Sequence, residues 1–407
     1  MATPTLVITF DFSSGAVFGY PFIIGEGVLG YNTLADAAAD TIDISNQVSK
    51  VSIRRGYNLR QEQFQAGTAT IRGIDPNGDW YPTNPSSPYY GKLVPLRKVR
   101  ISANGSFLFS GYTTAYNYTW DKEQNIGYVD IELSDAFRLF NMSSITTVTG
   151  ASAGQTTGQR ITNILDTIGF PASMRDIEAG STTVQADPGT ARTSLQAIQN
   201  MEFSEQGAFY IQPSGDAQFK SRLSIQKKSG VNPTFFSNDG TGINYRNIVT
   251  ALDDKLIINT TSITRAGGTA QTASNTASQI KYFPHSYTAT DLLVQTDAQA
   301  LDIAQAYTAT RAETTLRVDA LTLDLNTADY AAGTTAALTL DFFDTIRVKN
   351  VGQDGTVIDK TLQCMGVSHE ITPGTWNTTF VTSEPIIDSF QIGSALYGII
   401  GTSVMTY

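Results

Sequence analysis

Between Leu96 and Tyr112 the chain reads L-R-K-V-R-I-S, then A-N-G-S, then F-L-F-S-G-Y. Val99 and Ile101 alternate with Arg100 and Ser102, which places the apolar pair on one face of a strand. Asn104-Gly105 is the strongest short signal for a hairpin, because a two-residue type I′ turn needs positive φ at both central positions. Phe107-Leu108-Phe109 then returns along the first strand. A hairpin here commits the surrounding chain to an antiparallel sheet, and its neighbours carry the same punctuation. Val51–Ile53 is a short strand followed by Arg54-Arg55, and F-Q-A-G-T-A-T-I at 64–71 is another. A turn is predicted at Asp75-Pro76-Asn77-Gly78, and N-P-S-S-P-Y-Y-G follows at 84–91. Val129, Ile131 and Leu133 alternate with Asp130, Glu132 and Ser134. These strands with tight turns predict a small antiparallel barrel or sandwich.

The rest of the chain sorts by period. Leu6–Phe10 is a strand pattern, and residues 13–40 are Gly- and Ala-rich and irregular. A Ser/Thr/Gly-rich linker spans 142–158. Ile161, Ile164, Leu165 and Ile168 then lie on one helical face, with Gly169 and Pro171 as the stop. Thr193 and Gln196 have capping-box spacing, ahead of a stripe of Leu195, Ile198 and Met201 that Gly207 ends. A hairpin follows, from Ala208–Ile211 across Pro213-Ser214-Gly215-Asp216 to Gln218–Lys220. Thr296 and Gln299 cap a helix over 297–311. Leu316 and Val318 have one strand parity and Leu321, Leu323 and Leu325 the other, which predicts a β-bulge near Ala320. The expected division is a β domain over 1–150, an α/β insert over 151–245, a second β domain with one helix over 246–390, and a C-terminal arm over 391–407.

The order of these elements resembles the tail hub, or minor tail, proteins of long-tailed bacteriophages. The resemblance rests on F-Q-A-G-T-A-T, the D-P turn, N-P-S-S-P-Y-Y, and the R-K-V-R-I … F-S-G-Y hairpin. D-A-F-R-L-F at 135–140, L-D-D-K-L-I-I-N at 252–259, G-G-T-A-Q-T-A-S at 267–274 and V-S-H-E-I-T-P-G-T-W-N-T-T-F at 367–380 extend it over about 50–395. It implies a mainly β (α+β) fold: two antiparallel β-barrel or sandwich-like domains flanking a small α/β insert. It also implies a homotrimer whose duplicated barrels give pseudo-sixfold symmetry. Such a ring caps the tail tube, adapts its sixfold symmetry to a threefold tip, and forms a conduit for DNA and the tape-measure protein. The implied partners are the tail tube or distal tail protein, the tape-measure protein and the tip fibre or spike proteins. The implied place is the virion tail tip, after synthesis in the host bacterial cytoplasm.

Composition bounds the alternatives. The formal net charge is −10, and 27 basic residues are spread over 407 positions, so no basic footprint for gripping nucleic acid is visible. DNA is expected to pass without specific binding. Charged residues make up only 16% of the chain, so Ser, Thr, Asn, Gln and Gly must supply most of the surface. The single cysteine, Cys364, excludes an intramolecular disulfide. The N-terminus has no signal-peptide pattern. Phe390–Tyr407 holds no charged side chain over 18 residues, but its Gln, Ser, Thr and Gly content makes a membrane span unsuitable. It reads as an arm that covers another subunit with Phe390, Leu396, Tyr397, Ile399 and Ile400. With the Tyr89-Tyr90 pair, these are the interface residues expected from sequence.

No reactive constellation stands out, and neither a catalytic residue, a metal nor a cofactor is expected. Asp75, Asn77 and Asp79 alternate as in a calcium loop, but the position of its closing acid is Ser86. A turn accounts for the same residues. His285 and His369 stand alone, no G-x-S-x-G elbow is present, and Cys364 sits in an apolar strand. Two rival functions remain. One is a receptor-binding protein that grips a glycan with Trp80, Trp120 or Trp376. The other is a tail-associated hydrolase, for which no residue is a defensible candidate.

Overall fold

The computed structural model describes residues 4–12, 18–19, 40–58, 63–228, 232–326 and 330–385. The protein is mainly β, with large antiparallel sheets. The first part of the chain supplies β1 (Leu6–Asp11), β2 (Thr41–Asp43), β3 (Val48–Asn58), β4 (Gln63–Asp75), β5 (Lys98–Ala103), β6 (Ser106–Asp121) and β7 (Ile126–Ser134). The β5–β6 turn has φ of 49° at Asn104 and 82° at Gly105, as its sequence requires. Alternation sets the buried face: Val51, Ile53, Ala69, Ile71, Val129, Ile131 and Leu133 are all buried.

The middle of the chain is α/β. It runs α1 (Phe137–Met142), β8 (Ser144–Ile145), α2 (Thr157–Thr167), β9 (Arg175–Ile177), β10 (Arg192–Thr193), α3 (Ser194–Glu205), β11 (Ala208–Ile211), β12 (Ala217–Lys220) and α4 (Arg222–Lys228). Thr156 and Gln159 close a capping box on α2, and Thr193 and Gln196 close one on α3. Each N-cap contributes about 1 kcal/mol. α3 ends one residue before the expected glycine, with Gln206 in the left-handed region at φ 54°. Gly207 is needed for a different reason. A Cβ there would lie 2.5 Å from the Lys220 carbonyl oxygen of β12, so only glycine lets the hairpin close onto the helix.

The last part holds β13 (Thr234–Ser237), β14 (Asn247–Ala251), β15 (Thr260–Arg265), β16 (Gln271–Ser274), α5 (Thr276–Tyr282), β17 (Ser286–Leu292), α6 (Asp297–Arg311), β18 (Arg317–Asp324), α7 (Tyr330–Thr339), β19 (Thr345–Val351), β20 (Val357–Thr372) and β21 (Thr375–Ser383). The Thr296–Gln299 capping box starts α6, and the helix has the expected bounds. Its Ala300, Ile303 and Ala304 pack with Ile263 and Leu292 of the small sheet β16-β15-β17 and with Val294 just beyond it. The bulge lies at Asp319, where Val249 faces Ala320 but Thr250 faces Val318. One helix was expected in this region, and α5 and α7 stand beside α6. Tyr330–Thr339 is an Ala/Thr run without a 3.6-residue polar–apolar contrast, so periodicity did not mark it.

The strands of the two β regions run on into one sheet, in the order β14-β18-β21-β20-β3-β4-β7-β6-β5-β1-β2, with β13 and β19 attached through β20. β20 makes the join. Its first half, Val357–Gln363, pairs with β19, and Gly366–Ile371 pairs with β3. The join opens at Gly56 and Gly366, where a Cβ on Gly56 would come within 3.1 Å of the Gly366 Cα.

The strand order is also repeated. β3-β4-β7-β6-β5-β1 in the first region matches β14-β18-β21-β20-β19-β13 in the second. β6 and β20 are both 16 residues long, and β7 and β21 are both 9. The register of β6 on β7 breaks after Thr113, and that of β20 on β21 after Cys364. Both breaks follow the eighth residue of the long strand. One departure marks the repeat: β1 runs antiparallel to β5, whereas β13 runs parallel to β19.

Candidate functional surface

Side chains alternate across a sheet, so the face opposite the core is fixed by the same register. On that face Glu132, Thr70, Ser52, Glu370, Asn377 and Asp324 form one row across β7, β4, β3, β20, β21 and β18. Ser134, Thr68, Arg54, Ser368, Thr379 and Thr322 form the next. The result is a continuous wall of hydroxyls, amides and paired charges.

Most of the charges on this wall have a polar or oppositely charged partner beside them. Glu370 accepts from Ser52 Oγ at 2.7 Å and pairs with Lys50 at 3.1 Å. Arg72 pairs with Asp130 at 3.2 Å, Asn117 donates to Glu132 at 2.8 Å, and Arg246 meets Asp324 at 3.7 Å. Thr322 and Thr379 share a hydrogen bond of 2.9 Å. Lys50, Arg54, Arg72 and Arg246 thus stand against Asp130, Glu132, Asp324 and Glu370, an even balance. Exposed pairs like these are each worth no more than about 1 kcal/mol. Their effect is to leave a face with little net field.

The buried side of the sheet holds the groups that would matter for chemistry, and packing occupies most of them. His369 is buried, bonded through Nδ1 to Thr378 Oγ1 at 3.0 Å, and burial lowers its pKa to about 3, so it stays neutral. Cys364 is fully buried, and burial drives its thiol well above the usual range. Asp75 accepts from the Asp79 and Trp80 amides at 2.7 and 3.0 Å, so the calcium-like spacing is a turn held by its own carboxylate. Among the described residues no three His, Cys, Asp or Glu side chains converge on a metal position.

One buried acid is different. Glu202 at the end of α3 is 2% exposed and accepts from the Phe209 amide at 3.1 Å through Oε1. Its Oε2 has no hydrogen-bond partner. Burial raises its pKa to about 8, offset in part by that amide. It borders a cavity of about 130 Å³ where α3, α4, α6 and the main sheet meet, beside Tyr57 and Phe203. No sequence signal distinguished Glu202 from a surface helix residue.

This geometry has relatives. The 43 kDa tail protein of prophage MuSo2 from Shewanella oneidensis superposes with a TM-score of 0.57 at 11% identity, over 94% of this chain and 97% of that one. The tail protein from Neisseria meningitidis MC58 gives 0.56 at 12% identity, over 86% and 95%. This is the fold of phage tail proteins. No family model and no curated protein sequence matches the chain.

The residues expected at an interface fare unequally. Tyr90 is 56% exposed, whereas Tyr89 is half-buried against Trp80 at 4.8 Å and Phe12 at 5.7 Å. Phe390, Leu396, Tyr397, Ile399 and Ile400 lie outside the described residues. Trp80 and Trp376 are 1% and 0% exposed, so the glycan-gripping set reduces to Trp120. The arginines of this region, Arg54, Arg55, Arg97 and Arg100, separate as well. Arg54 lies on the polar wall, while Arg55 is buried against Asp341, Arg97 donates to the Lys92 carbonyl, and Arg100 stacks over Phe107. No helix among the described residues is long and apolar enough to cross a membrane.

Proposed function

We propose that the chain is a structural, non-enzymatic hub protein of a phage tail tip, in which three copies form a ring. The observation that carries this reading is the repeated strand order. A chain with two like sheets, taken three times, presents six quasi-equivalent elements to a tube while keeping threefold symmetry toward the tip. The boundaries near residues 150, 245 and 390 then separate two tube-facing units, an α/β spacer and an arm. Tyr90 and the segment from Phe390 onward supply contact surface. The partners are the tail tube or distal tail protein, the tape-measure protein and the tip fibre or spike proteins.

In this reading the polar wall lines the lumen. A duplex slides past it because the wall offers hydroxyls and neutralised charges, and each phosphate contact from an unpaired cation would add a salt-dependent hold. The oligomeric state tests the ring: mass photometry should show a trimer, alone or on isolated tail tubes. A strict monomer that also stays off tubes would remove the reading. The lumen has its own test. Duplex DNA at low salt should show no retention on the assembled ring, and tight binding would make this a DNA-gripping protein instead.

A further inference from the structure

The cavity that Glu202 borders lies where the described chain runs out. Ser383, the last residue of β21, and Glu384 just beyond it both stand in its wall. The rest of the wall comes from three other places: Arg222 on α4, Arg311 on α6 and Met365 on β20. Phe203 and Phe343 make it apolar, while Arg222 and Arg311 make it cationic. Its volume of about 130 Å³ is close to the ~150 Å³ that holds one benzene ring. It has room for one or two side chains, not for a folded element.

The charge of this wall sets the chemistry of its occupant. Arg222 is 6% exposed. Burial lowers the Arg311 pKa from its ordinary value, and the guanidinium lies 5.0 Å from the Tyr307 ring centre. Buried cations are held by anions. Two acids share the wall, and neither supplies the charge. Glu202 keeps its proton up to about pH 8, so it is neutral at pH 7. Glu384 is committed to Lys360 and accepts from Thr315 Oγ1 at 3.3 Å. The site therefore suits a carboxylate with an apolar flank.

The sequence provides one close by. After Glu384 the chain reads P-I-I-D-S-F, and Asp388 is the last charged residue of the 407. Residues 386–388 lie outside the described residues. Four residues span at most about 14 Å, so Asp388 stays within reach of the wall that Glu384 already joins. We infer that Ile386-Ile387-Asp388 docks in this cavity of its own chain, with the Asp388 carboxylate between the two guanidiniums and an isoleucine against the apolar side. The anchor ties α4 and α6 to the end of β21. It also gives the segment from Phe390 onward a fixed point of departure. It forms within one copy, so it is independent of the ring.

A double-mutant cycle on the full-length protein tests the anchor. In urea unfolding, Asp388→Asn should lower the folding equilibrium constant about tenfold. Once Arg311→Met is present, the same change should lower it less than about threefold, because the partner is gone. If Arg311→Met fails to fold, Arg222→Met takes its place in the cycle and should show the same coupling. The coupling should be equal in dilute and concentrated protein, since both partners belong to one chain. Losses that simply add, or an Asp388→Asn protein as stable as the parent, overturn the anchor. A coupling that appears only where copies associate puts a neighbour's segment in the cavity and overturns docking within the chain. These outcomes are read whether or not three copies form a ring, so the hub reading is tested separately.

Discussion

Glu202→Gln should make the protein more stable at neutral and mildly alkaline pH, by on the order of 3 kcal/mol, and the gain should grow with pH. The unfolded chain releases the Glu202 proton near pH 4.3, whereas burial holds it in the folded protein up to about pH 8. Across that window the folded state carries a proton that the unfolded state has lost. Stability therefore falls as pH rises, by about 1.4 kcal/mol per unit, and levels off above the folded value. A glutamine has the shape of the protonated acid, can still accept from the Phe209 amide, and has no proton to retain. Below about pH 4 the two proteins should be alike. Asp135, raised to about 7 by burial although the Gly67 and Phe137 amides that it accepts from oppose the rise, adds a slope of the same sign that both proteins keep. Denaturant melts between pH 5 and 8.5 measure the difference. A constant offset, or a variant less stable throughout, would show that Glu202 is already charged or that Gln cannot fill its place.

Much of the fold was legible because its signals are local. The Asn104-Gly105 turn, the Thr193–Gln196 and Thr296–Gln299 capping boxes and the change of parity at Asp319 each depend on a few adjacent residues, and each is present. The resemblance to tail hub proteins was legible in the same way, from turns and strand phrases. The join between β3 and β20 was not. Gly56 and Gly366 meet across more than 300 residues, and nothing local records which strands share an edge. The polar wall was visible only as composition, since Ser, Thr and Asn content does not say that the residues align in rows. Tyr89-Tyr90 read as a contact pair because sequence cannot show that Trp80 and Phe12 draw one of the two rings inward. The same blindness made Trp80 and Trp376 look available for glycan stacking, and made the acid at 202 look like a solvent-facing helix residue.

Arg55→Ala should destabilise the protein by about 3 kcal/mol, the largest single loss expected outside the apolar core. Arg54 and Arg55 are adjacent on β3, but alternation turns the first to the polar wall and the second into the interior. There the Arg55 guanidinium meets Asp341 Oδ1 at 3.1 Å, donates to the Ile211 carbonyl at 3.0 Å, and lies over the Phe342 ring at 4.7 Å. One side chain thus ties β3 to the α/β hairpin and to the turn ahead of β19. Removing one partner of a buried pair costs about 3–5 kcal/mol, because the other charge loses its compensation. Arg55 is 7% exposed but Asp341 is 29%, so water can recover part of the loss and the lower end of that range applies. Asp341→Asn should cost less than Arg55→Ala, since it leaves the Ile211 bond and the stacking in place. The Arg55→Ala, Asp341→Asn double variant should lose less than the two single changes added together. Urea unfolding of the four proteins closes the cycle. Strict additivity, or a loss below about 1 kcal/mol for Arg55→Ala, would mean that the guanidinium fills space without joining the sheet to the insert.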